Sequence, residues 1–126
     1  ILNYRFIPEK ARQQLLTWES VASSSKNREG AKEAERRIGK VNHLINGLNI
    51  KLHKALRRDD TTFVSRTKLE STRYRPHNIV VLRAVLINPL TDTEILKEIV
   101  ETQNLIGLQI WQEFEPAYQR IVKGPV

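Results

Sequence analysis

The chain has 126 residues, no cysteine, no methionine and a formal net charge of +7. This length suits one compact domain and is too short for two, and the absence of cysteine excludes disulfides and thiolate chemistry. No stretch approaches the roughly 18 consecutive apolar residues of a membrane span, and no signal-peptide pattern is present. We therefore expect a soluble, cytoplasmic chain, and its opening on strand-like residues suggests a piece of a longer protein.

The positive charge is concentrated in one segment. Ten Lys and Arg stand against three Glu between Lys26 and Arg58, whereas the rest of the chain carries equal numbers of both signs. A solvated basic helix face is the more frequent reason for such a segment. The alternative is a freestanding basic module that binds nucleic acid or an acidic protein partner.

The first half of the chain predicts one strand and one long helix. Alternation from Ile1 to Ile7 predicts a strand that ends at Pro8. Apolar spacing allows a short helix from Glu9 to Val21, and the serine-rich stretch Ser23–Gly30 predicts a loop. Spacings of three and four make Ala31–Arg58 the clearest amphipathic helix.

The second half predicts two strands and a helix. Phe63–Leu69 alternates and contains β-branched residues, which favours a strand. A polar link, 70–77, leads to the nearly unbroken apolar run Asn78–Ile87, which is typical of a strand covered on both faces or at a sheet centre. The last helix should begin near Asp92 and reach about Phe114, before Pro116 ends it.

These elements predict an α+β fold in the order strand, helix, strand, strand, helix. Consecutive strands can pair antiparallel, so we expect a small antiparallel sheet of about three strands covered by two amphipathic helices. We expect residues 1–126 to form a single domain, in which 9–37 is an insertion of loop and short helix and 115–126 is a tail.

No catalytic set is recognisable in the sequence. There is no glycine-rich phosphate loop and no paired cysteine. The spacings of His43, His53 and His77 do not put them on adjacent helical turns, which disfavours a metal site. Each histidine fits a surface or boundary position. Trp18 and Trp111 are interpreted as packing residues.

Arg83 is the one charge inside the apolar run 78–87. An arginine is rarely buried without a partner, because it cannot lose its charge and its desolvation is costly. Something anionic should therefore meet it. A structural carboxylate and the carboxylate of a ligand, held by two parallel hydrogen bonds, both satisfy this requirement. The alternative is that the side chain extends along the apolar surface and places its charged end in water at the sheet edge.

Two segments resemble a known family. F-V-S-R-T-K-L at 63–69 and V-L-R-A-V-L-I-N-P-L-T-D-T-E-I-L at 81–96 resemble the C-terminal small domain of the group II amino-acid decarboxylases that depend on pyridoxal phosphate (PLP), glutamate or aspartate 1-decarboxylase-like members in particular. The opening I-L-N-Y-R-F-I-P resembles that domain's first strand, and N-x-L-N-x-x-L at 46–52 resembles its long helix. The resemblance covers residues 1–8 and roughly 38–105.

The resemblance implies a specific division of labour. Members are dimeric fold-type I enzymes whose large domain binds pyridoxal 5'-phosphate through a lysine, and whose small domain closes over the substrate. Arg83 matches the family arginine at the substrate carboxylate. The residues that bind the cofactor and carry catalysis have no counterpart here. The fragment alone should be inactive, its partners being an amino-acid substrate, the large domain of the same chain and a second copy in a homodimer.

Overall fold

The computed structural model describes residues 2–24, 28–58, 64–69, 74, 78–84 and 93–123. The predicted α+β class is confirmed, although the described residues form three helices rather than two. In chain order the elements are β1 (Leu2–Tyr4), α1 (Glu9–Ser24), α2 (Arg28–Arg58), β2 (Val64–Leu69), β3 (Ile79–Ala84) and α3 (Thr93–Lys123).

The three strands form one antiparallel sheet in the order β1-β3-β2. β2 pairs with β3 along its whole length, whereas β1 reaches only the last three residues of β3. The central place of β3 explains its apolar sequence, because the four residues from Ile79 to Leu82 are each at most 5% exposed. The predicted central strand is confirmed, and residues 85–87 lie outside the described part.

Helix α2 is the element on which the others pack. It contacts α1, α3, β2 and β3. Its 31 residues make a helix about 46 Å long, enough to span the domain. The predicted apolar stripe is confirmed, since one face of the helix is buried along its length through Ile38, Val41, Ile45, Leu48, Leu52 and Leu56.

The loop predicted for Ser23–Gly30 is wrong at both ends. Ser23 and Ser24 belong to α1, and α2 already begins at Arg28. Local sequence alone favours a break here, but α1 buries Ala11, Leu15 and Trp18 in the main core. Packing of an apolar face commonly supplies most of the stability of a helix. The expected insertion at 9–37 is therefore helical wherever it is described.

Pro116 does not end the last helix, because α3 continues to Lys123. A proline inside a helix costs about 3 kcal/mol or more, since it removes one hydrogen bond and its ring crowds the preceding turn. The turns beyond it offset this cost by packing. Tyr118 is 2% exposed, and Arg37 Nη1 on α2 donates to the carbonyl of Val122 at 3.0 Å. The predicted tail is helical up to residue 123.

Candidate functional site

The start of β3 is bound by a side chain of α2 rather than by β1. The side-chain amide of Asn46 donates from Nδ2 to the carbonyl of Asn78 at 2.8 Å. Its Oδ1 accepts from the backbone N–H of Val80 at 2.9 Å. Because β1 pairs only with residues 82–84 of this strand, the amide of Asn46 supplies the donor and acceptor that a longer β1 would have supplied.

Asn49, one turn further along α2, does the same for the segment that leaves β1. Its Oδ1 accepts from the N–H of Phe6 at 2.7 Å, and its Nδ2 donates to the carbonyl of Phe6 at 2.9 Å. Nδ2 also donates to the carbonyl of Ile45 at 2.9 Å, and Asn49 is fully buried. Both asparagines of N-x-L-N-x-x-L thus join the long helix to the sheet.

Two more polar residues extend this line along α2. Asn42, four residues before Asn46, accepts from Arg5 Nη1 at 2.8 Å, and the Arg5 guanidinium lies 5.3 Å from the ring centroid of Tyr74. His53, four residues after Asn49, is only 6% exposed. Spacings of three and four residues keep these side chains on one helix face. The line fixes the position of the sheet that carries Arg83.

The histidine predictions have mixed outcomes. His43 is exposed, as expected. His53 is buried, so its surface or boundary placement is wrong; its position on the sheet-facing side of α2 is the reason. His77 lies outside the described residues. No group of three potential metal ligands occurs among the residues that the structure describes, and none of the helices described there has the length and apolar content for a membrane crossing.

The two tryptophans are packing residues, as predicted. Trp18 and Trp111 are 7% and 6% exposed and belong to the same core cluster. The Trp111 ring lies 5.3 Å from that of Tyr118, at an interplanar angle of 59°. Such a tilted pair is a favourable aromatic contact.

Arg83 lies in the middle strand of the sheet. Asn3 of β1 and Ser65 of β2 are the residues opposite it. Because neighbouring residues of a strand alternate between faces, Arg83 lies on the face opposite to that of Leu82. It is partly buried, and it takes part in an interaction within the chain. Neither residue opposite it is acidic, so any carboxylate that it binds comes from elsewhere.

Tyr4 and Gln103 form a second polar pair that the sequence did not indicate. Tyr4 is the residue opposite Leu82 on β1, and its hydroxyl donates to Gln103 Oε1 at 2.8 Å. Burial raises the pKa of the Tyr4 hydroxyl, with the Gln103 bond acting in the opposite direction. Tyr4 is therefore a protonated hydrogen-bond donor near neutral pH. No sequence signal joins two residues 99 positions apart.

A comparison with curated proteins shows that this chain is similar to part of an amino-acid decarboxylase. Aspartate 1-decarboxylase of Aliivibrio fischeri (strain ATCC 700601 / ES114) is 37% identical over 93 residues, which are 74% of this chain and 17% of that protein. The chain thus spans less than a fifth of the length of this relative. No protein-family model matches the chain. No solved structure matches it either. The similarity supports a relationship to a decarboxylase.

Proposed function

We propose that this chain is the C-terminal small domain of a PLP-dependent decarboxylase of acidic amino acids, aspartate or glutamate. The observation that carries the proposal is the 93-residue similarity to an aspartate 1-decarboxylase. The 93 matched residues are 17% of that relative, which therefore has about 550 residues. The remainder is long enough for a separate large domain.

In this proposal the chain contributes recognition of the substrate carboxylate and closure over the substrate. The cofactor is assigned to the large domain, where it supplies an electron sink for the loss of carbon dioxide. No residue of this chain is assigned to the cofactor or to the chemical step. The whole enzyme is proposed to be a cytoplasmic homodimer, and its other partners are the amino-acid substrate and its own large domain.

Arg83 is the residue proposed to bind the substrate carboxylate. A guanidinium presents a planar set of donors that matches a carboxylate with two hydrogen bonds. Partial burial suits this role, because it lowers the local dielectric while leaving the group within reach of a ligand. Strands on both sides pair with β3 at this residue. A site on a rigid element holds its geometry better than one on a loop.

The experiment that tests this role changes Arg83 to Lys in the whole enzyme. Lysine keeps the charge but loses the planar fork, so we expect kcat/KM to fall roughly tenfold to a hundredfold, corresponding to about 1.5–3 kcal/mol. The thermal midpoint should change little. Arg66→Lys is the matched control, because Arg66 is an exposed arginine on the neighbouring strand β2. Near-normal kinetics with a strongly lowered midpoint would make Arg83 a structural residue.

The cofactor assignment needs a separate measurement. Borohydride reduction of the whole enzyme, followed by peptide mass spectrometry, should place a pyridoxyl group on a lysine outside these 126 residues. Decarboxylation that proceeds without bound PLP, through another carbonyl group, would overturn the assignment. If the chain's main property were nucleic-acid binding that weakens steeply with salt, the basic-module alternative would replace the proposal.

A further inference from the structure

We propose that a stripe of side chains on the outer side of α3 binds the same stripe of a second copy of this chain, with the two helices antiparallel. Successive members of the stripe are three or four residues apart, which keeps them on one side of a helix. In chain order they are Lys97, Glu101, Leu105, Leu108, Gln112 and Glu115. The homodimer proposed above assigns no surface to either subunit, so this inference goes beyond the proposed function.

The centre of the stripe is apolar and exposed. Leu105 and Leu108 are 65% and 50% exposed, although they lie in the middle of a 31-residue helix. No charged residue occurs from 102 to 112, whereas 28% of the whole chain is charged. The exposed residues around the two leucines are Thr102, Asn104, Gln109 and Gln112. Depletion of charge around an exposed apolar centre is typical of a surface that binds another protein surface.

Two antiparallel copies are complementary along the whole stripe. A two-fold axis between Leu105 and Leu108 places each of these leucines beside the other leucine of the second copy. The same alignment brings Gln112 beside Glu101, so that the side-chain amide donates to the carboxylate. One turn further out, Lys97 lies beside Glu115 of the second copy. Symmetry makes every one of these contacts occur twice.

The two charged ends of the stripe cannot pair within one chain. Lys97 and Glu115 are 18 positions apart on the same helix, which separates them by about 27 Å at 1.5 Å per residue. Neither forms a salt bridge with another residue in the described part of the chain. A parallel pair of helices would instead place Lys97 against Lys97 and Glu101 against Glu101, which repel each other. The charges therefore favour an antiparallel second copy.

The size of the stripe sets the strength of the expected dimer. One helix face on each side makes an interface smaller than the standard size of roughly 1,600 Å². We therefore expect a reversible dimer whose Kd is micromolar or weaker, and which is populated when the chain is concentrated.

The test mixes two variants of this chain and measures association by sedimentation equilibrium. Lys97→Glu makes both ends of the stripe acidic, and Glu115→Lys makes both ends basic. Each variant alone should self-associate about fivefold more weakly than the original chain, because like charges meet at both ends of the dimer. An equimolar mixture should form a heterodimer about as tight as the original dimer, because every lysine then meets a glutamate.

A second pair of variants tests the apolar centre. Leu105→Gln with Leu108→Gln should weaken self-association about tenfold or more, because the dimer no longer buries these leucines. The helix should persist, since glutamine is a good helix former. Leu16→Gln is the matched control, because Leu16 is an exposed leucine of α1 outside the stripe. It should leave self-association unchanged.

Three results would each overturn the inference. A chain that stays monomeric up to its solubility limit would show that another surface, such as the proposed large domain, covers the stripe. A mixture that associates no more tightly than its separate variants would exclude the antiparallel alignment. Unchanged self-association of the double leucine variant would place the interface elsewhere. None of these experiments measures decarboxylation, so each result leaves the proposed function untouched.

Discussion

Replacing Asn49 by alanine should destabilise this fold far more than its single small side chain suggests. Asn49 is fully buried, and its amide satisfies both the N–H and the carbonyl of Phe6. Alanine keeps the helix, for which it has the higher propensity. The substitution removes the side-chain amide that binds the backbone of Phe6; among the described residues, no other side chain of α2 is shown to bind the backbone just after β1.

The magnitude follows from the groups left behind. A buried donor or acceptor without a partner costs about 1–3 kcal/mol. Two backbone groups lose their partner here, but Phe6 is only partly buried and water can satisfy part of the loss. We therefore expect the free energy of unfolding to fall by about 2–4 kcal/mol, a large share of the 5–15 kcal/mol typical of a domain.

Asn46→Ala is the matched control. Asn46 also bonds one N–H and one carbonyl, but it is itself partly accessible and its bond to Asn78 is exposed. Water replaces a partner more easily at such a site, so we expect a loss of about 1 kcal/mol. The two variants therefore separate the effect of burial from the effect of removing an asparagine.

Urea denaturation followed by tryptophan fluorescence measures both variants, because Trp18 and Trp111 are buried reporters on different helices. The slope of free energy against urea should not change, since the same surface is exposed on unfolding. A loss below about 0.5 kcal/mol for Asn49→Ala, or a loss smaller than that of Asn46→Ala, would refute the reasoning.

Three further predictions concern packing, helix continuity and pH. A Cβ at Gly107 would lie 2.9 Å from a Phe6 ring atom, so Gly107→Ala should lower the free energy of unfolding by an overpacking cost of about 1–3 kcal/mol and thereby lower the thermal midpoint. A Cβ at Gly47 would lie 3.3 Å from its nearest ring atom, and the higher helix propensity of alanine offsets this milder crowding, so Gly47→Ala should be nearly neutral. Pro116→Ala should raise stability to urea by about 1–3 kcal/mol, because it restores an intrahelical bond. The raised pKa of Tyr4 gives stability that is complete below about pH 10 and is lost as pH rises through the higher folded pKa, so Tyr4→Phe should flatten that alkaline loss.

Each of these predictions has an opposing result. Equal midpoints for the two glycine variants would mean that the close ring contact moves away without cost. A proline variant no more stable than the original chain would mean that the helix beyond residue 116 gains nothing from the missing bond. An unchanged alkaline loss of stability in the tyrosine variant would assign that loss to another group, such as Tyr118, whose pKa is also raised by burial.

Periodicity in the sequence predicts much of this fold because it is a local property. The three- and four-residue spacing of apolar residues located α2 from Ala31 onward, and the apolar run 78–87 located the central strand. The predictions that were wrong are those of the residues at which helices begin or end. Serines such as Ser23 and Ser24 and a proline such as Pro116 usually end a helix, but α1 reaches Ser24 and α3 reaches Lys123 because both helices pack apolar side chains into the core.

The candidate site was predictable only in part. Arg83 was singled out because it interrupts an apolar run, and its central place in the sheet is confirmed. Its proposed ligand stays a prediction. Asn46 and Asn49 were noticed in a resemblance without a physical role, because their partners lie more than thirty residues away along the chain. A contact between residues so far apart in the sequence produces no local spacing pattern from which it could be predicted.

The hydrogen bonds between Asn46 and the start of β3 also protect the chain against aggregation through its sheet edge. Unpaired main-chain groups on a sheet edge invite a strand from a second molecule, which is one route to aggregation and domain swapping. β1 is too short to protect the start of β3, and the amide of Asn46 occupies the groups that an incoming strand would seek. At the opposite edge, β2 presents exposed Arg66 and Lys68, charges of the kind that deter strand addition. Both edges of this small sheet are therefore protected against the addition of a strand from a second molecule.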